Sequence, residues 1–414
     1  MSRFDTRVIS TERDLASVDA AWQALRTSLP APRLEHQRGW LEGEARTKEG
    51  MMVVTLGDQG EVRAMAPFLL KKWKLQCRLG YKSVVAFPML MARLCGDALL
   101  APDGDMALQE SLMEAVAKST VPYQTIFIES LPLESSLRKL IDTSPVIQKH
   151  FWPYFPAPPA KHWSIKLPKT FAEYNSSLGS EQRRQFRQRE KKLTAATNAP
   201  IKVQRVMGAD DVASYIREVS AVSKLSWQGR KLGQQIDIDS PAAKRIEEFA
   251  KKGWLRGYLL RTTSPKSEVL AFVVGFQSDG VYYYDTIGYD PQWSSFSPGN
   301  LVLYKLIEDL YAHDPVSAVD LGGGDNLYKR IFGNDSYDEQ NVFLFRRSPY
   351  TRAARATHAA FTHVSTATRV ALQRTGLLER ARQFLRGGGA GKGSAPSPPA
   401  ETPVQKKEAE VQSS

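Results

Sequence analysis

The sequence predicts an α/β protein with mixed sheets, in which one unit of helices and strands occurs twice in tandem. Three observations lead to this prediction. The chain has 414 residues, 42% of them hydrophobic and 24% charged, which suffices for two domains with separate cores. Helical and strand patterns alternate along it, as in sheets that are covered by helices. The second half then repeats the order of elements in the first.

The first half is predicted to form a domain at residues 1-155. Apolar residues recur every three or four positions at its start, which is typical of an amphipathic helix, and alternating stretches around a tight turn predict a strand pair. The predicted elements are a helix (14–29), a strand (51–56), a turn (58–60), a strand (61–70), a helix (106–117), a short buried strand (125–129) and a helix (133–141).

The second half is predicted to form a domain at residues 160-347. Its predicted elements are a strand pair (253–261 and 268–277), a turn (278–280), a third strand (281–286), a helix (300–311), a strand (316–321) and a helix beginning at 327–332. The residues at 61–64 and at 268–271 both read Glu-Val-x-Ala, and each stretch is followed by helix, strand and helix. We interpret this as a tandem duplication of one α/β unit.

Positive charge is concentrated near the C-terminus. The net charge is +12, and after position 345 there are 12 Lys or Arg residues against four Glu residues. Residues 348-386 space apolar side chains at three- and four-residue steps between arginines, which predicts a basic amphipathic helix that lies on an anionic membrane or packs on the second domain. The Gly-, Ser- and Pro-rich residues 387-414 are predicted to be a disordered tail. Because the excess charge is local, no nucleic-acid partner is expected.

Several classes of protein are excluded by composition. Two cysteines, Cys77 and Cys95, are too few for a disulfide scaffold, and the six histidines lack the spacing of metal ligands, so no metal site is expected. The first residues contain no apolar signal core, and the longest apolar run, 84–92, is too short to cross a bilayer. We therefore expect a cytoplasmic protein that can also associate peripherally with the inner face of the plasma membrane.

One strand–loop–helix run, residues 282–301, carries the strongest functional signal. Ser297 before Pro298 predicts a helix N-cap with Pro at the first helical position. Gly299 lets a ligand approach the backbone, and the N–H groups of the first turn, including that of Asn300, favour a phosphate or pyrophosphate. The alternative interpretation is that Ser-Pro-Gly only begins a helix.

This run resembles the CelD-type (BcsL-like) branch of the GNAT N-acyltransferase superfamily, which is similar in turn to the tandem-fold Fem peptidoglycan ligases. The matching residues are Gly288-Tyr289-Asp290, Trp293, Ser297-Pro298-Gly299, the stretch 319–325 before Tyr328-Lys329, Trp227 with Gly229, the basic stretch 183–192 and, in the first half, Trp22 and 66–69.

The resemblance implies two tandem GNAT-like acyltransferase folds, of which the second binds the donor, acyl-coenzyme A, with acetyl-coenzyme A as the first candidate. In most GNAT members the pyrophosphate loop has a longer glycine-rich pattern, and here only the Gly299 position matches it. The first half has no Ser-Pro-Gly before its helix at 106–117. We expect it to be degenerate, with a structural or acceptor-side role.

Acyl transfer to an amine requires a base for the attacking nitrogen and an acid for the departing thiolate. Asp285 is the first candidate base, unless it only bonds the loop backbone. Asp325 follows the next strand, where side chains of an open sheet face the ligand cleft, and is the second candidate. Tyr328 is the candidate acid, with a core tyrosine as the alternative.

Further residues are candidates for binding the acceptor or the phosphates of the donor. Arg183 and Arg187 lie one helical turn apart, so they share a face that could hold an anionic group or could simply be solvated. Trp227 and Lys231 are candidates for a lid over the cleft, with an ordinary core tryptophan as the alternative for Trp227. The last two candidates are Asp290, whose alternative role is to form a turn, and Lys329, whose alternative is a solvated surface position.

The predicted function is acyl transfer from acyl-coenzyme A to an amine, or less often a hydroxyl, of a sugar or a lipid-linked cell-envelope or exopolysaccharide precursor. Two alternatives are kept. One is a Fem-like ligase that takes its group from aminoacyl-tRNA, and the other is a non-catalytic scaffold held at a membrane by the basic segment.

Overall fold

A computed structural model describes residues 4–46, 48, 50–79, 82–102, 104–226, 235–264 and 266–374. Its strands are, in chain order, β1 (Asp5–Ile9), β2 (Gly50–Asp58), β3 (Glu61–Leu79), β4 (Lys82–Cys95), β5 (Thr125–Pro132), β6 (Phe151–Tyr154), β7 (Ala160–Lys166), β8 (Ile201–Val206), β9 (Gly257–Thr262), β10 (Val269–Ser278), β11 (Val281–Tyr289), β12 (Ala318–Gly323) and β13 (Asp335–Arg346).

The helices follow the same order along the chain. They are α1 (Glu12–Leu15), α2 (Asp19–Thr27), α3 (Arg38–Ala45), α4 (Met106–Lys118), α5 (Ser136–Thr143), α6 (Pro145–His150), α7 (Phe171–Ser177), α8 (Ser180–Thr197), α9 (Ala209–Leu225), α10 (Pro241–Lys251), α11 (Pro298–His313), α12 (Leu327–Phe332) and α13 (Pro349–Arg374), with 3-10 turns at Ala16–Val18, Leu34–His36 and Pro291–Phe296.

The chain forms two compact units that are interleaved in sequence. Of the described residues, the first contains those up to Ala21, those from 50 to 158 and those from 340 to 374, and the second contains those from 22 to 48 and from 159 to 339. Strand β13 therefore contributes its first residues to the second unit and the rest to the first. The predicted domain limits at 155, 160 and 347 stay predictions.

Each unit repeats one pattern of strands. In the first, β1 to β4 pair antiparallel in sequence order and β5 joins β4 in parallel. In the second, β8 to β11 pair antiparallel and β12 joins β11 in parallel. A helix connects the parallel strands in both cases, α4 in the first unit and α11 in the second. The predicted mixed α/β fold built from a tandem repeat is confirmed.

In the second unit, helices cover both faces of the sheet. On one face α7, α8, α11 and α12 bury a core, which contains Tyr174, Phe186, Tyr282, Leu306 and Phe332. On the other face α9 and α10 bury a second core with the segment around Leu34, which belongs to this unit although it precedes β2. Two apolar layers fix the sheet, so the polar side chains at its strand ends are held at defined positions.

In the first unit, α4, α5 and α6 cover one face of the sheet, and α13 contacts the other. The start of α13 is anchored there, since Thr351, Ala354 and His358 are buried and Tyr154 Oη lies 2.7 Å from His358 Nδ1. A helix forms over Pro349–Arg374 as predicted, but it packs on the first unit, so the alternative that it packs on the second domain is wrong. The rest of the predicted helical segment, up to 386, and the predicted tail at 387–414 lie outside the described residues. Within the described part of the chain, no helix is long and apolar enough to span a bilayer.

Candidate active site

A gap between two parallel strands marks the candidate active site in the second unit. Strands β11 and β12 pair only where Val281–Tyr283 faces Ala318–Asp320. Beyond Tyr283, β11 runs on to Tyr289 with no partner on that side among the described residues, while β10 pairs with its other side along its whole length apart from one bulge. The unpaired edge offers backbone N–H and C=O groups to a ligand at the carboxyl end of the strands, where open α/β sheets bind their ligands.

The corresponding strands of the first unit leave no such gap. Strand β4 pairs with β5 from Met91 to Cys95, the last residue of β4, and the next amide, Gly96 N–H, donates to Glu129 O. Arg93 also forms an ion pair with Glu129 across these two strands. The two units thus share a topology, but only the second opens its parallel pair.

Helix α11 begins beside the gap. Gly299, in its first turn, lies so close to β11 that a Cβ atom there would be 3.4 Å from the Tyr289 ring and 3.5 Å from Ile287 Cδ1. Pro298 begins the helix as predicted, but Ser297 adopts a left-handed conformation (φ 51°, ψ 54°) and its side chain makes no capping hydrogen bond. The predicted side-chain cap is therefore wrong. The Gly299 and Asn300 N–H groups, in the first turn, have no acceptor within the helix.

The loop between β11 and α11 is held by its own side chains. Asp290 accepts a hydrogen bond from Gln292 N–H at 3.0 Å and begins the 3-10 turn Pro291–Phe296. Glu268 accepts from the side chains of Gln292 and Trp293, at 2.7 and 3.2 Å. Asp290 therefore forms a turn, which was its alternative interpretation, and its role in binding a substrate stays a prediction.

Two tyrosines flank the gap on the α11 face of the sheet. Tyr328, in α12, donates its hydroxyl hydrogen to Tyr284 Oη at 3.3 Å. Tyr284 is the first β11 residue beyond the paired stretch, and burial raises the pKa of its hydroxyl well above the usual value. Because Tyr328 is held beside the gap, it can supply a proton to a group that leaves there.

The predicted carboxylates both belong to ion pairs. Asp285 is the extra residue of a β-bulge, since Tyr284 and Thr286 face the consecutive residues Gly275 and Val274. Its carboxylate accepts from Arg245 Nη2 at 2.7 and 2.8 Å. Asp325 is paired with Arg330, and this hydrogen-bonded pairing lowers the pKa of the Asp325 carboxyl. Their catalytic roles stay predictions.

The basic candidates lie at separate positions. Arg183 Nη1 donates to the carbonyls of Asn175, Ser176 and Leu178 and so stabilises the end of α7. Arg187 is exposed on α8 in a groove of about 400 Å³ that Glu190, Lys191 and Thr194 also line. Lys329 is buried and donates to Gly323 O. Trp227 and Lys231 lie outside the described residues.

The face of the sheet opposite α11 carries a charged cluster that the sequence analysis does not find. His162, in β7, lies between two carboxylates, with Nε2 2.8 Å from Asp320 Oδ1 and Nδ1 2.7 Å from Glu339 Oε2. The imidazole stacks on the Tyr337 ring at a centroid distance of 4.6 Å, and Tyr337 Oη accepts from Arg33 Nη2 at 2.8 Å. We call these five residues the His162 array.

The His162 array begins at the apex of the gap, because Asp320 is the last β12 residue paired with β11. Burial by itself would lower the pKa of His162, but Asp320 and Glu339 raise it to about 9. Burial likewise opposes ionisation of Asp320, yet His162 and Arg33 outweigh it and lower the pKa of this carboxyl. At neutral pH the array therefore holds an imidazolium between two carboxylates.

Close packing fixes this arrangement. A Cβ atom at Gly323, opposite His162 in β12, would collide with Glu339 Oε1, so a larger residue there would displace the Glu339 side chain. Glu35 lies near Arg33 and Tyr283, and its Oε2 is a buried atom without a hydrogen-bond partner among the described residues. An unpaired buried carboxylate oxygen is costly, which suits a position that receives a donor from a ligand or water.

A sequence match assigns this region to a known class of domain. Residues 180–330 match the family described as acetyltransferase (GNAT) domain. The match includes both strands of the gap, helix α11 and Tyr328. The matched residues lie within the second unit, which thus contains a region similar to the GNAT acetyltransferase domain.

Solved structures share the fold of the whole chain. The crystal structure of FemX superposes with a TM-score of 0.58 at 12% identity, covering 82% of this chain and 97% of that chain. A tandem GNAT protein from the clavulanic acid biosynthesis pathway superposes with a TM-score of 0.51 at 12% identity, covering 83% and 99%. These likenesses confirm a tandem GNAT-like fold. No curated protein matches the chain in sequence.

Proposed function

We propose that the second unit transfers an acyl group, with acetyl as the first candidate, from acyl-coenzyme A to an amine or a hydroxyl of a saccharide or cell-envelope precursor. The observation that carries this proposal is the gap between β11 and β12 with the start of α11 beside it. A helix start binds pyrophosphate through its free N–H groups, and the unpaired strand edge can bond the amides of a pantetheine arm.

The dimensions of the gap support this donor. The start of α11 contacts Ile287, and the gap closes at Tyr283. The stretch of extended strand from Tyr283 to Ile287 is about 13 Å long, which is similar to the length of an extended pantetheine arm. A donor whose pyrophosphate binds at α11 would thus bring its thioester to the apex, between Tyr328 on one face and the His162 array on the other.

The acceptor is proposed from the resemblance to the CelD-type branch, whose members point to exopolysaccharide or cell-envelope assembly. The acceptor is proposed to approach on the face with the His162 array, because the Asp320 side chain is 20% exposed there, beside the end of the gap. We propose a cytoplasmic enzyme, since acyl-coenzyme A is a cytoplasmic metabolite, that reaches a lipid-linked acceptor at the membrane surface through its basic C-terminal segment.

Thermal denaturation with ligands tests the donor. A ligand that binds only the folded protein raises its melting temperature, so acetyl-coenzyme A and free coenzyme A are each expected to do so at concentrations well above their Kd. Melting temperatures measured with longer acyl-coenzyme A esters show which acyl chain lengths the gap admits. Adenosine 3′-phosphate is the matched control, since it is the part of coenzyme A without the pyrophosphate and the pantetheine arm.

Two outcomes would favour the alternatives. If no coenzyme A compound shifts the melting temperature but aminoacyl-tRNA does, the protein is a Fem-like ligase. If neither does, the scaffold interpretation gains support, and the proposed transfer is contradicted.

A further inference from the structure

We infer that Asp320 is the acceptor-side catalytic residue of this enzyme, and that His162 and Glu339 position it. This inference rests on the proposed acyl transfer and goes beyond it, because it assigns the proton acceptor to a residue on β12 instead of Asp285.

The first step of the argument is the location of Asp320. It is the last residue of β12 that pairs with β11, facing Tyr283, so it lies where the gap closes. Its neighbours Val319 and Leu321 are buried in the core on the α11 side. Side chains alternate along a strand, and Asp320 therefore points to the face from which the acceptor would approach.

The second step is the state of its two oxygens. Oδ1 accepts from Gly322 N–H at 2.7 Å and lies 2.8 Å from His162 Nε2. Among the described residues Oδ2 has no hydrogen-bond partner, and the Asp320 side chain is 20% exposed. One oxygen is thus fixed by the protein and the other can contact a nucleophile.

The third step is the role of His162. Only 8% of its side chain is exposed, and both ring nitrogens are engaged, one by Asp320 and one by Glu339, whose side chain is 4% exposed. An imidazole with both nitrogens bonded can neither take up the nucleophile's proton nor bind a metal ion. It can hold the Asp320 carboxylate in one orientation, as buried orienting partners do for catalytic groups.

The comparison with Asp285 supports the assignment. Asp285 lies on the same face, but Arg245 donates to both of its oxygens and Thr286 Oγ1 also donates to Oδ2, so protonation of either oxygen would disrupt the ion pair. In Asp320, by contrast, the cationic partner His162 contacts only Oδ1.

The reaction then balances as follows. The neutral acceptor nitrogen attacks the thioester carbon, so a C–N bond forms and the C–S bond breaks. The proton of the nucleophile passes to Asp320 Oδ2, and the thiolate takes a proton from the Tyr328 hydroxyl. Solvent removes the proton from Asp320 and restores that of Tyr328. The products are the amide and free coenzyme A, or the ester when the acceptor is a hydroxyl.

The test measures thiol release from acetyl-coenzyme A with hydroxylamine, D-glucosamine or water as the nucleophile, alongside acetyl-coenzyme A affinity by calorimetry. Asp320→Asn should lower the rate about 100-fold or more, typical of losing a general base, with an unchanged Kd. Its deficit should shrink as the pH is raised, because solvent then deprotonates the nucleophile. His162→Gln should lower the rate about tenfold, also with an unchanged Kd. The matched control is Asp338→Asn, next to Glu339, whose exposed side chain pairs with Lys161.

The outcomes separate the two proposals. If Asp320→Asn releases thiol as fast as Asp338→Asn does, or if its deficit is the same at every pH, the assignment of Asp320 is overturned and the acyl transfer stands. If the natural protein binds no acetyl-coenzyme A, or binds it and transfers to none of the three nucleophiles, both fail.

Circular dichroism monitors the folding of each variant. If Asp320→Asn does not fold, Asp320→Glu replaces it, and the displaced carboxylate should cost about tenfold.

Discussion

The Nη2 atom of Arg245, on α10, donates to both carboxylate oxygens of Asp285, on β11, at 2.7 and 2.8 Å. The pair lies at the β-bulge beside the gap, and about a quarter of each side chain is exposed. It links a helix to the strand that forms one wall of the site. A bulge bends its strand, so a side chain that holds the bulge also helps to set the direction of the unpaired edge.

The first prediction concerns this ion pair. Asp285→Asn and Arg245→Gln should each lower the free energy of unfolding by up to about 1 kcal/mol, because the pair is partly solvated, and the double variant should be no less stable than either one. Both single variants should lower turnover to a similar, small extent. Urea denaturation and steady-state rates measure these effects. A large loss of turnover confined to Asp285→Asn would identify Asp285 as the base.

The second prediction concerns the start of α11. A Cβ at Gly299 only reaches van der Waals distance of Tyr289 and Ile287, so the fold tolerates a side chain there, but Gly299→Val adds bulk where the pyrophosphate would lie. We expect its Kd for coenzyme A to rise at least tenfold with little change in melting temperature. Gly208→Val, at the N-cap of α9 with open space around it, is the control. Equal affinities of the two variants in calorimetry would contradict a pyrophosphate site at α11.

The third prediction concerns the number of donor molecules. In the first unit β4 and β5 stay paired to Cys95, and Arg93 bridges to Glu129 there, so this parallel pair opens no gap for a ligand. Calorimetry should therefore give one coenzyme A per chain. A stoichiometry of two would show that the first unit opens its strands in solution.

Much of the fold could be predicted from hydrophobic period and turn residues. Helix α12 occupies 327–332 as predicted, and the two strands predicted at 61–70 and 268–277 begin within the repeated Glu-Val-x-Ala stretch, at Glu61 and Val269. Strand β4 was not predicted, because its apolar run contains Pro88. The structure accommodates Pro88 since β5 pairs with β4 only from Met91 onward, which leaves one side of the strand without a partner at the proline.

The candidate site could be predicted only in part. The loop and helix after β11 are contiguous in sequence, so their signal is local. The His162 array comes from β7, β12, β13 and the segment before α3, and no spacing rule connects residues so far apart in the chain. The one local signal is Asp320 itself, a charged residue between Val319 and Leu321 in an otherwise apolar strand.

The fourth prediction concerns the basic C-terminal segment. Thr351, Ala354 and His358 are buried in the first unit, so a chain cut at Arg347 would lose part of that core. A chain ending at Ser365 keeps it and removes five of the nine arginines between 346 and 386. We expect the full chain to sediment with anionic vesicles at low salt, because each basic residue near such a surface contributes about 1 kcal/mol, and the shortened chain to do so less.

Salt and lipid charge provide the controls for this experiment. Electrostatic attachment is screened over about 10 Å at 0.1 M salt, so binding should weaken as salt is added and be absent with neutral vesicles. Equal sedimentation of both chains, or none, would show that the segment after Ser365 does not attach the protein to membranes.

The last prediction concerns the pH dependence of stability. The pKa of His162 is raised to about 9 in the folded protein from an ordinary value near 6.5, so the folded state binds this proton more tightly than the unfolded state. The stabilisation is fully present below pH 6.5 and is lost as the pH rises through 9. It amounts to roughly 3 kcal/mol on the relation between pKa and free energy.

His162→Gln lacks this proton, so its deficit in unfolding free energy should be largest near pH 6 and smallest near pH 10. Urea denaturation at a series of pH values measures the difference, with His313→Gln, an exposed position in the same unit, as the control. A deficit that stays constant from pH 6 to 10 would mean that His162 is not held as an imidazolium between Asp320 and Glu339.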